Sequence, residues 1–370
     1  MRVMSTPKSL DLTITHRCNL RCAYCAHFTS PGDIGRDLST EEWLRFFEEL
    51  NRCSVTEVTL SGGEPFYRDD IKELIEGIVR NKMRFGILSN GTLITDEMAA
   101  FIASTGRCNY VQVSIDGSYA GPHDVFRNDG SFELAVAGLT RLQKHGINVS
   151  VRVTIHRHNV QDLEAIAKFL MEDLKLPGFS TNAASYSGLC RSYADEIQLT
   201  VEDRSIAMET LLRLNKKYDG RIGASAGPLA EAQQWLDMEQ ARKENREKQS
   251  DCGCLHACGG VFSALGVRAD GVMVPCTQMS HIELGRINQD DLGEVWRNQI
   301  DLMRLRDRRG ISLEDFEFCR ECEYIAYCRG NCPALAYTIL GEDNHPSPDA
   351  CLKRFLEAGG RLPENGLKDI

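Results

Sequence analysis

The chain has 370 residues, of which 42% are apolar and 26% are charged, and its formal net charge is −10. This composition is typical of a globular protein with room for one large domain and a smaller second one. The acidic balance argues against broad binding to nucleic acid or to an anionic membrane surface. No apolar run is long enough for a membrane span, and the first residues lack the apolar core of a signal peptide. We therefore expect a cytoplasmic protein that binds neither nucleic acid nor membrane.

Residues 1–200 alternate short apolar runs with amphipathic segments, a pattern typical of repeated βα units. Six strands are predicted, over Leu10–Thr15, Glu57–Leu60, Phe85–Ser89, Tyr110–Ile115, Val149–Ile155 and Gly178–Asn182. Helices are predicted after Ser39 or Thr40 as N-cap, and over Asp69–Lys82, Asp96–Thr105, Phe132–His145 and Gln161–Glu172. Such units imply a parallel sheet with right-handed crossovers, in either a doubly wound sheet or a partial TIM-like barrel.

The rest of the chain is predicted to differ from this pattern. A helix is predicted over Val201–Tyr218, and the charged stretch Asp237–Ser250 is interpreted as a solvated helix or linker. Beyond it, a hairpin is predicted from Val261–Val267 and Val272–Pro275 within a small cysteine-rich core that needs metal to fold stably. The expected domains are therefore a barrel over residues 1–200, a helical linker over 201–250 and a cysteine-rich domain over 251–370.

Three of the fifteen cysteines lie close together after the first predicted strand, at Cys18, Cys22 and Cys25. In a reducing compartment, clustered cysteines are more often metal ligands than disulfides. Three thiolates can bind three irons of a [4Fe–4S] cube and leave the fourth iron open to another ligand. The spacing alone is also compatible with two other interpretations, a zinc site with a distant fourth ligand and a reactive dithiol.

The surrounding motif identifies a family. Cys-x3-Cys-x-Tyr-Cys, followed one βα unit later by Gly62-Gly63-Glu64-Pro65, resembles the radical SAM superfamily. The resemblance implies an α/β fold with a partial (β/α)6 TIM-like barrel. It also implies that S-adenosylmethionine (SAM) binds the open iron and is cleaved to a 5′-deoxyadenosyl radical that abstracts hydrogen from the substrate.

The resemblance also assigns SAM-binding residues by position. Tyr24 corresponds to the aromatic residue that packs near the adenine, and Glu64 to the partner of the methionyl ammonium group. Ser114 and Asp116 are assigned to the ribose hydroxyls or the methionine moiety. The full predicted set is Tyr24, Gly62, Gly63, Glu64, Asn90, Ser114, Asp116 and Arg152. No catalytic residue on the substrate side is predicted.

A second group of cysteines lies in the C-terminal part of the chain. Its spacing also suits structural zinc, because thiolates alone do not distinguish zinc from iron. The pattern, with Gly271 in the predicted hairpin, is similar to the SPASM extension of radical SAM enzymes, which carries two auxiliary [4Fe–4S] clusters. To the first auxiliary cluster the resemblance assigns Cys258, Cys276 and Cys332, with either Cys252 or Cys254 as the fourth ligand and Cys252 favoured. To the second auxiliary cluster it assigns Cys319, Cys322, Cys328 and Cys351. Because each set then has four thiolates, we expect the auxiliary clusters to transfer electrons.

The resemblance to SPASM enzymes also indicates the substrate class, since most of them modify peptides. Sulfatase maturation is disfavoured, because Thr277 follows Cys276 where sulfatase maturases carry an Asp. The runs Val58–Phe66, Val151–Val160, His281–Asn288, Gly330–Tyr337 and His345–Phe355 resemble the radical SAM/SPASM proteins of SynChlorMet cassettes. That family implies a ribosomally made precursor peptide as substrate, and we expect a side-chain cross-link such as a cyclophane or a thioether.

Two other functions stay open at the level of sequence. One is a radical SAM dehydrogenase, mutase or epimerase acting on another substrate, and the other is a non-catalytic zinc-binding scaffold. The first predicted strand begins near residue 9, so we expect the peptide leader to be bound by a separate recognition protein or by the cleft between barrel and SPASM domain. An external electron donor of the flavodoxin or ferredoxin type is a further expected partner.

Overall fold

A computed structural model of the chain describes residues 3–27, 36–247 and 252–364. The end of the charged stretch predicted over Asp237–Ser250 lies outside these residues. The chain divides into two units, and each is made of several chain segments. The first unit comprises Met1–Ile115, Asp124–Val151 and Gly259–Arg306, and the second comprises Asp116–His123, Arg152–Cys258 and Asp307–Ile370.

The strands of the described residues are short, and six of them confirm the predicted ones with ends shifted by no more than two residues. In chain order they are β1 Ser9–Thr15, β2 Glu57–Gly62, β3 Arg84–Ser89, β4 Cys108–Ser114, β5 Val149–Ile155, β6 Phe179–Ala183, β7 Ile222–Ala224, β8 Ala264–Val267, β9 Val272–Val274 and β10 Gly285–Arg286. Strands β7 and β10 were not predicted.

The predicted helices are also present, although the one over Gln161–Glu172 is split into a short α-helix and a π-helical turn, Phe169–Asp173. The helices are α1 Thr40–Arg52, α2 Ile71–Arg80, α3 Asp96–Ser104, α4 Ala120–Arg127, α5 Ser131–Lys144, α6 Leu163–Lys168, α7 Ala194–Ile197, α8 Val201–Lys217, α9 Pro228–Lys243, α10 Leu292–Asn298, α11 Ile300–Asp307, α12 Pro333–Leu340 and α13 Leu352–Glu357. Within the described part of the chain, no helix combines the length and the apolar composition that crossing a bilayer requires.

The first unit is built on a sheet whose strands run in the order β10-β9-β8-β1-β2-β3-β4. Strand β1 is parallel to β2, with Leu10 opposite Val58, and also parallel to β8, with Leu10 opposite Leu265. Strands β8 and β9 are antiparallel, which confirms the predicted hairpin. The hairpin from the C-terminal part of the chain therefore extends the sheet beside its first strand.

The core of the first unit forms between this sheet and its helices. Strand residues such as Leu12 and Leu60 are fully buried, and helix α1 buries Trp43, Phe46 and Phe47 on one side. Of the two predicted N-caps, Ser39 is the one used, and its side chain and that of Glu42 form a reciprocal capping box at the start of α1.

The second unit contains the end of β5 together with β6 and β7, which are parallel neighbours. Helices α8 and α9, in the segment expected to be a helical linker, pack against each other and form a core. The buried members of that core are Met208, Ala232, Trp235, Met238, Tyr324, Leu352 and Phe355. Cys322 and Cys328 pack against it, so residues from the expected linker support the cysteine-rich segment.

Candidate active site and metal centres

The three N-terminal cysteines lie in the loop that follows β1, at the carboxyl end of a parallel strand. Cys18, Cys22 and Cys25 are each half-buried. Backbone hydrogen bonds hold the loop: Ala23 N donates to Phe126 O at 2.9 Å, and Cys25 N donates to Cys22 O at 3.0 Å. The chain thus presents the three thiols on a turn that is fastened to Phe126, near the C-terminal end of α4.

The sulfur of Cys18 has two N–H donors beside it. Leu20 N donates to Cys18 Sγ at 3.4 Å, and Asn90 Nδ2 donates to the same atom at 3.9 Å. Burial raises the pKa of the Cys18 thiol to about 11, and the hydrogen bond from Leu20 opposes that rise. Because only the thiolate binds iron, binding at Cys18 must release a proton.

Gly62 and Gly63 allow the end of β2 to run directly against the start of the cysteine loop. Gly62 has φ of +151°, and a Cβ there would lie 2.4 Å from Thr15 O. A Cβ on Gly63 would lie 2.2 Å from Arg17 O and 3.0 Å from Cys18 Cβ. Any larger residue would therefore displace the backbone that leads into Cys18.

Glu64 is fully buried and organises the ends of two strands. Its Oε1 accepts hydrogen bonds from Ser89 Oγ at 2.8 Å and from Phe66 N at 3.2 Å, and its Oε2 accepts one from Asn90 N at 2.7 Å. Burial nevertheless raises the pKa of Glu64 to about 7, since the desolvation of the carboxylate outweighs these three donors. The carboxyl group thus titrates near neutral pH.

A side-chain network joins the cysteine loop to the turn after β3. Asn90 Nδ2 donates to Asn19 Oδ1 at 2.9 Å, Asn19 Nδ2 donates to Thr92 Oγ1 at 2.8 Å, and Thr92 Oγ1 donates to Asn90 Oδ1 at 2.7 Å. The three side chains close a ring of hydrogen bonds directly beside Cys18. Neither Asn19 nor Thr92 was predicted as a site residue, although both flank motifs that the sequence analysis singled out.

Tyr24, assigned by resemblance to the adenine, is buried within the first unit. Its ring meets Phe126 edge-on, with ring centroids 6.4 Å apart, and the Arg127 guanidinium lies 5.3 Å from its centroid. These contacts fix the orientation of the ring and attach it to the same segment that holds the cysteine loop.

The remaining predicted SAM contacts are divided between the two units. Ser114 ends β4 in the first unit, whereas Asp116 and Arg152 belong to the second. Asp116 is fully buried, its Oδ1 accepts a hydrogen bond from Thr154 N at 2.7 Å, and its backbone N donates to His123 Nδ1 at 3.0 Å. Among the predicted SAM contacts, the first unit therefore brings Gly62, Gly63, Glu64 and Asn90 together with the cysteine loop.

Four C-terminal cysteines surround a single cavity in the second unit. Cys319, Cys322, Cys328 and Cys351 all line it. Burial raises the pKa of Cys319 to about 12, and the neighbouring Cys328, Cys351 and Cys322 add to the rise. Gly330 N donates to Cys328 Sγ at 3.4 Å, a contact that favours a bound thiolate. Four thiols that line one cavity fit an iron–sulfur cluster with four thiolate ligands.

The cysteines assigned to the other auxiliary cluster are divided between the units, with Cys252, Cys254, Cys258 and Cys332 in the second and Cys276 in the first. Burial raises the pKa of Cys332, and nearby Cys258 adds to it, so these two sulfurs are neighbours. The adjoining Gly253 N donates to Cys328 O at 2.8 Å, which ties this segment to the loop that carries the second ligand set.

The fifteen cysteines all lie in the described residues and form no disulfide. Among those same residues, no three His, Cys, Asp or Glu side chains are close enough to hold a single metal ion. A cubane cluster does not require such a group, because each of its thiolate ligands binds a different iron at a different corner.

Two family descriptions match the chain. The "Radical SAM superfamily" matches residues 12–170, and the "Iron-sulfur cluster-binding domain" named SPASM matches residues 258–323. The first range contains the cysteine loop and the Gly62–Glu64 turn, and the second contains part of the C-terminal cysteine pattern. The chain therefore combines a radical SAM region with a SPASM region that binds auxiliary clusters.

Similar proteins cover nearly the whole chain. Fe-coproporphyrin III synthase of Methanosarcina barkeri is 30% identical over 89% of this chain and 84% of its own length. The mycofactocin maturase MftC of Mycobacterium tuberculosis is 27% identical over 96% of this chain and 85% of its own length. The structure of SuiB from Streptococcus suis bound to the precursor peptide SuiA superimposes with a TM-score of 0.70 at 15% identity, covering 95% of this chain and 77% of that one. The last similarity shows a shared TIM-like α/β fold with a C-terminal SPASM domain.

Proposed function

This chain belongs to the radical SAM superfamily and carries a SPASM domain, and on that basis we propose that it abstracts hydrogen from a ribosomally made precursor peptide and installs a side-chain cross-link. The observation that carries the proposal is the arrangement around Cys18, where a three-cysteine loop packs on Gly62 and Gly63 and is linked through Asn90 to buried Glu64. When bound, the cluster and SAM supply the 5′-deoxyadenosyl radical, while the protein supplies binding, orientation and exclusion of water.

In this proposal Cys18, Cys22 and Cys25 provide thiolates to three irons. Glu64 holds the turn after β3 in place and receives the methionyl ammonium group. Its Oε2 accepts only the bond from Asn90 N among the described residues, so the oxygen keeps capacity for a second donor. The pKa of Glu64, raised to about 7 by burial, would fall when a cation binds beside it.

The evidence for the other assigned SAM contacts differs from residue to residue. The ring of Tyr24 is oriented by its contacts with Phe126 and Arg127 and can pack against a planar base. Gly62 and Gly63 keep the backbone close to the cysteine loop. Ser114, Asp116 and Arg152 stay assigned by resemblance alone.

We propose two auxiliary [4Fe–4S] clusters in the SPASM part of the chain. The second has the stronger support, because Cys319, Cys322, Cys328 and Cys351 line one cavity. The first would use Cys258, Cys276 and Cys332 together with Cys252, which is buried. With four thiolates each, these clusters transfer electrons and do not bind substrate, and a flavodoxin- or ferredoxin-type donor delivers the first electron.

The peptide substrate is supported by MftC, a maturase that is similar over nearly its whole length. The SynChlorMet-like runs of the sequence favour the same substrate class. The test is co-expression with each short open reading frame that neighbours the gene, followed by mass spectrometry of the peptide products. A cross-link should remove two hydrogen atoms from the peptide, and a variant with Cys18, Cys22 and Cys25 changed to Ala should leave its mass unchanged. An unmodified peptide in the presence of active SAM cleavage would refute the peptide assignment.

A tetrapyrrole substrate is the second candidate, and one observation favours it: the relative at 30% identity is named Fe-coproporphyrin III synthase. The same purified enzyme, reduced anaerobically with SAM, should then convert a member of a panel of tetrapyrroles. Absorbance spectra and mass analysis of each porphyrin would detect the product. Formation of 5′-deoxyadenosine that depends on a tetrapyrrole and not on the peptide would favour this second function.

A further inference from the structure

Ser347 has a buried hydroxyl group that the protein itself does not satisfy. Its side chain is 1% exposed, and its Oγ has no hydrogen-bond partner among the described residues. The backbone around it is well fixed, because Ser347 N donates to Gly330 O at 2.9 Å and the residue stands between Pro346 and Pro348. A buried hydroxyl without a partner disfavours folding, so this one is expected to have an acceptor that the polypeptide does not provide.

The cavity beside Ser347 indicates the chemistry of that acceptor. Ser347 lines the same cavity as Cys319, Cys322, Cys328 and Cys351. The cavity is bordered mainly by sulfur and carbon atoms, and sulfur is the acceptor that a bound cluster would bring there.

Other polar side chains that line the cavity already have partners. Tyr324 donates its hydroxyl to Glu239, and Asn331 donates its amide to the backbone of Ala350. The hydroxyl of Ser347 differs from both in having none among the described residues.

We propose that Ser347 donates a hydrogen bond to a sulfur of the auxiliary cluster held by these four cysteines and thereby raises its reduction potential. The inference rests on the second auxiliary cluster proposed above. Reduction adds negative charge to the cluster, so an O–H donor stabilises the reduced state more than the oxidised one. Ser347 thus adjusts the reduction potential of an electron-transfer cluster and does not touch the substrate.

The test is an anaerobic redox titration of the full-length holoprotein, followed by electron paramagnetic resonance. The signal of this cluster is identified by its loss in Cys319→Ala. Ser347→Ala should keep the iron but shift the midpoint potential of that signal to more negative values. We expect the equilibrium constant for reduction to fall about tenfold, which corresponds to ~59 mV for one electron. Ser347→Thr, which keeps the hydroxyl, should restore a potential near that of the wild type.

The matched control is Ser205→Ala in helix α8. Ser205 is also a buried serine of the second unit, but its Oγ donates to Val201 O at 3.0 Å and does not line the cavity. Its removal should leave the potential unchanged. Equal potentials in wild type and Ser347→Ala, with iron retained, overturn the inference.

A second measurement covers the case in which Ser347→Ala loses the cluster. Electron–nuclear double resonance of the wild type in H2O and D2O should show an exchangeable proton coupled to this cluster in addition to the amide proton of Gly330, which donates to Cys328 Sγ. Absence of this additional coupling overturns the inference. If Cys319→Ala removes no iron, the proposed cluster itself is wrong, and that result is distinct from an unchanged potential.

Discussion

Replacing Gly63 by Ala tests the close packing between the end of β2 and the cysteine loop. A Cβ at this position would lie 2.2 Å from Arg17 O, 2.6 Å from Arg17 C and 3.0 Å from Cys18 Cβ. The two shortest contacts are to backbone atoms, so no side-chain rotation can relieve them. Either the end of β2 or the backbone leading into Cys18 must move.

The size of the effect follows from this forced movement. Overpacking that shifts a backbone costs about 1–3 kcal/mol. At ~1.4 kcal/mol for each factor of ten, the unfolding equilibrium should shift by about 5- to 150-fold. Because the displaced segment carries Cys18, the variant should also bind less iron at its N-terminal site.

The assay combines anaerobic urea unfolding with iron and sulfide analysis of the reconstituted protein. Gly310→Ala is the matched control, since a Cβ there meets nothing within 4 Å and the residue has no positive φ. A Gly→Ala change at such a position is expected to be neutral or stabilising by about 0.4–1 kcal/mol. If Gly63→Ala unfolds at the same urea concentration as Gly310→Ala and keeps all its iron, the packing argument is refuted.

Three further predictions concern buried charge and metal content. Burial raises the pKa of Glu64 from 4.5 to about 7. At pH values between these two, the Glu64 carboxyl group is protonated in the folded protein and ionised in the unfolded chain. The free energy of unfolding should therefore fall as pH rises through that window, by up to ~3 kcal/mol. Glu64→Gln should flatten this slope in urea unfolding at pH 5 to 8, and equal slopes would contradict it. Cys319→Ala should lose about four irons per chain while the other clusters stay, and analysis showing unchanged iron would reject the assigned ligand set. Arg204→Met leaves Glu231, whose side chain is 13% exposed, without its cation, so it should destabilise the protein by up to about 3–5 kcal/mol. Adding Glu231→Leu should recover most of that loss, and a double variant as unstable as the single one would count against the pair.

Sequence patterns predicted the parallel strands well, and the reason is local. Strands such as β2 and β5 are short apolar runs bounded by turn residues, and their periodicity reports burial directly. Motifs that follow successive strands must meet at one edge of a parallel sheet. That rule accounts for the closeness of Cys18, Gly63 and Asn90 in the structure.

Other elements had no local signal. Strands β7 and β10 have three residues and two residues, too few to show a period. Helix α4 contains Gly121 and Pro122, which weaken any helical pattern. Helix α9 runs into the charged stretch that was interpreted as solvated helix or linker, and it buries Met238 and Ala241 there.

The sequence by itself determined the chemistry of the ligands, because cysteine spacing and the Gly-Gly-Glu-Pro turn are local features. Only the tertiary structure decided which distant segments complete each site. It placed β8 beside β1, closed the ring of Asn19, Asn90 and Thr92 beside Cys18, and brought Ser347 to the cavity of the four C-terminal cysteines. The physical reason is that a local pattern reports whether a residue is buried, whereas its partner depends on how the whole chain packs.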